Sequence, residues 1–104
     1  MKLDLLDPAK ADLKACVRYY NARPSKYGRA IRAAFLRAVA AIESNPRLYS
    51  LVEDELPGFE MREYFIENFQ QRVIYHVGDK LIRVVAIVHA SSRGGSWHRR
   101  LDAT

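Results

Sequence analysis

Residues 71–89 read Q-R-V-I-Y-H-V, then G-D, then K-L-I-R-V-V-A-I-V-H, two β-branched runs hinged on Gly78-Asp79. Glycine at the first position of a two-residue loop suits a type II′ turn, so the pattern predicts a β-hairpin. Such a loop fixes the register. It sets Val77 opposite Lys80, Tyr75 opposite Ile82 and Val73 opposite Val84. Alternation then makes one apolar face of Val73, Tyr75, Val77, Ile82, Val84, Ala86 and Val88, which must be buried under something. The other face collects Arg72, Ile74, His76, Leu81, Arg83, Val85, Ile87 and His89, and is expected to stay partly open as the working surface.

Something must cover the apolar face, and the N-terminal half supplies it. Asp7-Pro8 gives a helix start, Asp as cap and Pro at the first helical position. Leu13, Cys16/Val17 and Tyr20 then recur at helical steps up to about Asn21. After Pro24, Ser25 can cap a second helix, whose stripe is Tyr27, Ile31, Ala34/Phe35, Ala38/Val39 and Ile42. That helix stops at Ser44-Asn45-Pro46, because proline disfavours a helical residue before it. The short connection predicts an antiparallel helical hairpin. Residues 59–67 alternate imperfectly as a strand, and residues 2–6 weakly as an edge strand. The expected fold is therefore α+β: an N-terminal antiparallel helical hairpin packed on one face of a three- to four-stranded antiparallel sheet. Residues 1–104 form a single domain, a length that supports one core.

Charge is unevenly placed along the chain. Residues 1–48 hold ten Lys/Arg against four acids, residues 49–71 one against six, and residues 72–104 six against two. A basic chain with one acidic segment suits an acidic partner, nucleic acid or protein, although a solvated surface would read the same way. The lone cysteine, Cys16, excludes an internal disulfide and is read as a small core residue in a reducing compartment. No run approaches the ~18 apolar residues of a membrane span, so the expectation is a cytoplasmic protein with no membrane partner. Histidines at 76, 89 and 98 lack metal-ligand spacing, so neither a metal nor a cofactor is expected.

The helical hairpin ending in Asn45-Pro46, the Pro57-Gly58 loop, and the runs Q-R-V-I-Y-H-V and I-R-V-V-A-I-V-H-A-S-S-R-G-G-S-W-H-R-R together resemble the RelE/ParE superfamily. These are toxins of type II, plasmid-stabilising toxin–antitoxin modules, and the likeness spans nearly the whole chain. The resemblance implies one of two activities. One branch cleaves messenger RNA on the ribosome; the other poisons DNA gyrase without nuclease chemistry. In both, a cognate antitoxin wraps the toxin.

Cleavage needs a base, an acid and cations for the developing phosphate charge. The resemblance points to Arg72, His89 and Arg93 for that role if the chain is a nuclease. Arg83, Trp97, Arg99 and Arg100 are candidates for contact with the target or nucleic acid. Ile74, Leu81, Val85 and Ile87 are candidates for antitoxin binding on the mixed face. Each has a plainer reading. Arg72 can simply pair with Glu63 or Glu67 across the sheet, and Trp97, after a Gly-Gly hinge, is expected to dock rather than stand out. Where nuclease members carry lysines, residues 60–67 read E-M-R-E-Y-F-I-E, and carboxylates there repel RNA. The balance favours the gyrase-poison branch, with the ribosome-dependent endoribonuclease second and a non-toxic binding module third.

Overall fold

A computed structural model describes residues 1–52, 58–92, 97 and 99–102. Strand β1 (Lys2–Leu5) leads into helices α1 (Asp7–Asn21) and α2 (Gly28–Ser44). Strands β2 (Met61–Ile66), β3 (Gln71–Val77) and β4 (Leu81–His89) follow, and a short helix α3 (Arg99–Asp102) is the last described element. The sheet order is β1-β4-β3-β2. Helices against a sheet is the α+β architecture the patterning predicts.

One pairing differs. β2, β3 and β4 are antiparallel neighbours, but β1 runs parallel to β4, so the sheet is mixed. The helical hairpin carries the chain from β1 across to the far edge. Two antiparallel reversals then bring β4 back in the direction of β1. Alternation over four residues cannot report the direction of a partner.

Pro8 lies in the first turn of α1, but the helix is entered through Leu6 with no side-chain cap. The second helix also begins later than Ser25 suggests. Lys26 takes a positive φ of 52°, its N–H donating to the Arg23 carbonyl at 3.0 Å, and α2 starts at Gly28. Gly28 donates its N–H to Asn21 Oδ1 at 3.1 Å, locking the end of α1 to the start of α2. A Cβ there would lie 2.2 Å from that oxygen, so the contact requires glycine. The core against the helices gathers Ala34, Phe35, Ala38 and Ile42 from α2 with Val73, Tyr75, Val77, Ile82, Val84 and Ile87.

The hairpin keeps a two-residue loop but shifts it by one residue. Gly78 donates to the Leu81 carbonyl at 2.9 Å, so the loop is Asp79-Lys80 and Val77 pairs with Ile82. Gly78 does not adopt a positive φ, which excludes the type II′ turn. A second departure matters more. The register slips between Ile74 and Tyr75: Tyr75 pairs with Val84, but Ile74 pairs with Ala86, leaving Val85 as a bulge. Beyond the bulge the two faces of β4 exchange, because the side-chain period is two. Ala86 and Val88 therefore join the outer face with Ile74 and Arg72, while Ile87 and His89 turn to the helix side with Val73 and Gln71.

The outer face is not open. Met61, Ile74, Val85 and Ala86 form a second buried cluster with Val52, Trp97 and Leu101. Trp97 is docked, only 4% exposed. The sheet is thus covered on both faces, by the helices on one and by the C-terminal segment with Val52 and Phe59 on the other.

Candidate functional site

The outer face of β2 and β3 carries the chemistry-bearing groups the hairpin pattern singles out. Arg72, the second residue of β3, stands between Phe65 of β2 and Val88 of β4, its cross-strand partners. Its guanidinium closes an ion pair with Glu63 two residues along β2, the plainer of its two readings. Further along the same face, Arg83 lies 3.1 Å from His76 Nδ1, and Phe59 meets the His76 ring edge-on at 5.2 Å. Burial first, and the Arg83 charge second, hold the His76 imidazole below its ordinary value, with Glu60 opposing.

Glu60 itself is clamped by two arginines, Arg62 at 2.7 Å and Arg47 at 3.1 Å. Burial would raise its carboxyl, but hydrogen bonds from both guanidinia outweigh that and hold it below the usual range. Arg62 also donates to the Tyr49 carbonyl at 2.6 Å. Tyr75, inside the core, donates its hydroxyl to the Pro46 carbonyl at 2.7 Å, and burial pushes its phenol up to about 12. Of the three carboxylates expected to repel RNA, Glu60, Glu63 and Glu67, the first two are each paired with arginine.

His89 lies elsewhere. It pairs with Gln71 on the helix side of the sheet, across the backbone from Arg72. Its Nδ1 accepts from the Ser91 N–H at 3.1 Å and sits 2.7 Å from Ser91 Oγ. The backbone donor assigns the proton of a neutral ring to Nε2. His89, Ile87, Gln71, Asp12 and Cys16 line a cleft of about 450 Å³ between α1 and the end of β4. Cys16 Sγ lies 3.9 Å from Gln71 Oε1, and burial raises its thiol, with Asp12 adding to the effect. Arg93 lies outside the described residues. The expected trio of Arg72, His89 and Arg93 therefore does not gather on one face: Arg72 and His89 are on opposite faces.

Ile74 and Val85 are fully buried, Ile87 is 7% exposed and on the helix side, and Leu81 is half-buried beside the turn. They do not form the open apolar platform expected of an antitoxin-binding face. Trp97 belongs to the core, Arg99 is exposed, and Arg100 is structural. Arg100 donates to both Asp12 oxygens, at 2.7 and 3.3 Å, and to the Val85 carbonyl at 2.9 Å. Asp12 Oδ2 also accepts the Ile87 N–H at 3.0 Å. β1 covers the edge of β4 only as far as Val84, so these two side chains satisfy the edge beyond it. The signal for this clamp was a carboxylate, Asp12, set within the helical stripe of Ala9, Leu13 and Cys16. Among the described residues no cluster of His, Cys, Asp or Glu could hold a metal ion.

Residues 3–94 match the family described as the ParE toxin of the type II toxin–antitoxin system parDE. The chromosomal ParDE toxin–antitoxin system from P. aeruginosa contains a similar structure, with TM-score 0.73 at 20% identity, covering 88% of this chain and 97% of that one. The isolated RelE toxin of E. coli is similar with TM-score 0.62 at 15% identity, over 98% and 96%. The archaeal RelE–RelB complex from Pyrococcus horikoshii gives 0.56 at 17%, over 88% and 97%. No protein of curated function matches. At such identities the structural likenesses speak for the fold.

Proposed function

The chain belongs to the ParE toxin family of type II toxin–antitoxin systems, and from that premise we propose that it inhibits DNA gyrase by binding, and is neutralised by a cognate antitoxin. The observation that carries this reading is the separation of the nuclease candidates. Ribonuclease chemistry needs a proton-transfer group and phosphate-binding cations converging on one phosphodiester. Here Arg72 is engaged by Glu63 on the outer face while His89 faces α1. Neither can reach the other's side of the sheet without undoing the Val85 bulge. A toxin that acts by holding its target asks for no such convergence.

The antitoxin has to meet a molecule whose outer sheet face is already covered. A partner segment that uses Ile74 and Val85 must first displace Trp97 and Leu101. Its apolar residues would then take the places those two side chains occupy.

The test is induction of the protein alone in growing cells, with DNA and messenger RNA followed in the same samples. Double-strand breaks and an induced DNA-damage response with intact transcripts, reversed by co-expression of the neighbouring gene's product, are expected. Toxicity is expected to survive joint substitution of Arg72, His89 and Arg93 by Gln. Transcripts cut within codons on ribosomes, and loss of toxicity in that triple variant, would replace gyrase with messenger RNA as the target.

A further inference from the structure

The helical hairpin carries a charge pattern that the toxin fold does not need. Between residues 7 and 44 there are eight Lys/Arg and three acids, Asp7, Asp12 and Glu43. Asp12 is taken by Arg100 and Asp7 by Lys10. Lys14, Arg18, Lys26, Arg29 and Arg32 are all exposed and form no ion pair among the described residues.

Three of these five line one cleft, and the other two lie on the helical stripe beside it. Val17, Asn21, Lys26, Gly28, Arg29 and Arg32 line an open cleft of about 540 Å³ between α1 and α2. Lys14 and Arg18 fall on the α1 face of Val17 and Asn21, since positions 14, 17, 18 and 21 share one helical stripe. A cationic row therefore flanks the cleft on each side, Lys14 and Arg18 on α1 and Arg29 and Arg32 on α2, with Lys26 at its end. Leaving like charges unpaired side by side costs stability, and a partner that supplies the countercharge removes that cost.

We propose that this cleft is a docking surface for the phosphate backbone of double-stranded DNA. The lining decides against other acidic partners. A single strand is held by bases stacked on aromatic rings, and the cleft has none. An amphipathic acidic peptide needs apolar anchor pockets, and Val17 alone is apolar apart from glycine. What remains is a surface of flexible cations and an amide, which reads phosphate and not sequence. Packed helices run roughly 8–10 Å apart. Two rows at that separation can each follow one wall of a groove, the major groove being about 12 Å wide.

The probe is a fluorescein-labelled duplex of arbitrary sequence, titrated with the full chain by anisotropy across a salt series. Four to five phosphate contacts give a slope of log K on log salt near roughly −4. The variant K14Q/R18Q/R29Q/R32Q, which leaves Lys26, is expected to reduce that slope to about −1 and to weaken binding on the order of a hundredfold at low salt. Glutamine keeps helix propensity at these exposed sites, and circular dichroism melts check that the variant is folded. R72Q, on the sheet, should leave duplex binding unchanged. Three results would overturn the proposal: binding insensitive to the quadruple variant, tighter binding of the single strand, or polyglutamate competing as well as duplex. The measurement contains no gyrase, so it stands or falls apart from the proposed target.

Discussion

The sheet and the helical hairpin both carry many arginines, and they use them in opposite ways. On and around the sheet four arginines are tied down: Arg62 of β2 and Arg47 beside it to Glu60, Arg72 of β3 to Glu63, and Arg100 of α3 to Asp12. On the hairpin Lys14, Arg18, Lys26, Arg29 and Arg32 meet no carboxylate among the described residues. Glu60 and Glu63, two acids of residues 49–71, thus neutralise the arginines beside them. What is left over as positive charge is concentrated on the helices. A paired arginine positions backbone and neighbours; an unpaired one remains available to a partner. Net charge of +5 describes neither region.

If the sheet's outer face is structural, the largest effects on stability must come from its cover. Trp97→Ala removes a side chain that is 4% exposed over Ile74, Val85 and Ala86. The expected loss is about 3–5 kcal/mol, the range for truncating a buried aromatic. Thermal unfolding should show it as a fall of more than ~10 °C. Arg29→Gln with Arg32→Gln, on the hairpin, should stay within about 0.5 kcal/mol. If Trp97→Ala proved as mild as the arginine pair, the outer face would be open in solution and the contrast would collapse.

Asp12→Ala comes next. It removes the acceptor of the Ile87 N–H and the carboxylate of Arg100 at the uncovered edge of β4, leaving Arg100 only the Val85 carbonyl. Leaving a partly buried donor unsatisfied costs about 1–3 kcal/mol. The urea midpoint should fall by that amount at unchanged slope. A midpoint equal to wild type would mean that the edge is satisfied by water and that α3 is not pinned by this clamp.

How much of this could be read from the chain depended on whether a local rule or a distant partner decided. The α2 stripe from Ile31 to Ile42, the stop at Asn45-Pro46 and the apolar alternation of β3 are local and are where the pattern puts them, whereas Tyr27, expected to begin that stripe, precedes α2 and is 54% exposed. The pairing of Arg72 with Glu63 was legible too, because β2 and β3 are neighbours joined by a short turn. The bulge at Val85 was not. Residues 84–88 are an unbroken apolar run, V-V-A-I-V, and nothing in such a run marks the extra residue. That single insertion moved Ile87 and His89 to the helix side and so dispersed the candidate site. The parallel β1–β4 pair and the Asp12–Arg100 clamp, 88 residues apart, depend on tertiary closure that no window of sequence contains.

The smallest expected effect separates the two regions by pH. The titrating group on the sheet is His76. Burial, then Arg83, hold its folded-state pKa below the unfolded value of ~6.5. Between those two values the unfolded chain binds more protons, so stability rises with pH there. The penalty is absent above about 6.5, grows as pH falls through it, and is complete below the folded pKa. Glu60, held low by its two arginines, titrates in a more acid range and does not mask this window. Melting temperature should therefore decline as pH falls from about 7 to about 5. His76→Gln should flatten part of that decline, while Arg29→Gln with Arg32→Gln should leave its slope alone. Equal slopes in wild type and His76→Gln would show that the imidazole is as well solvated in the fold as out of it. The Phe59–His76–Arg83 cluster would then be a surface contact and not part of the covered face.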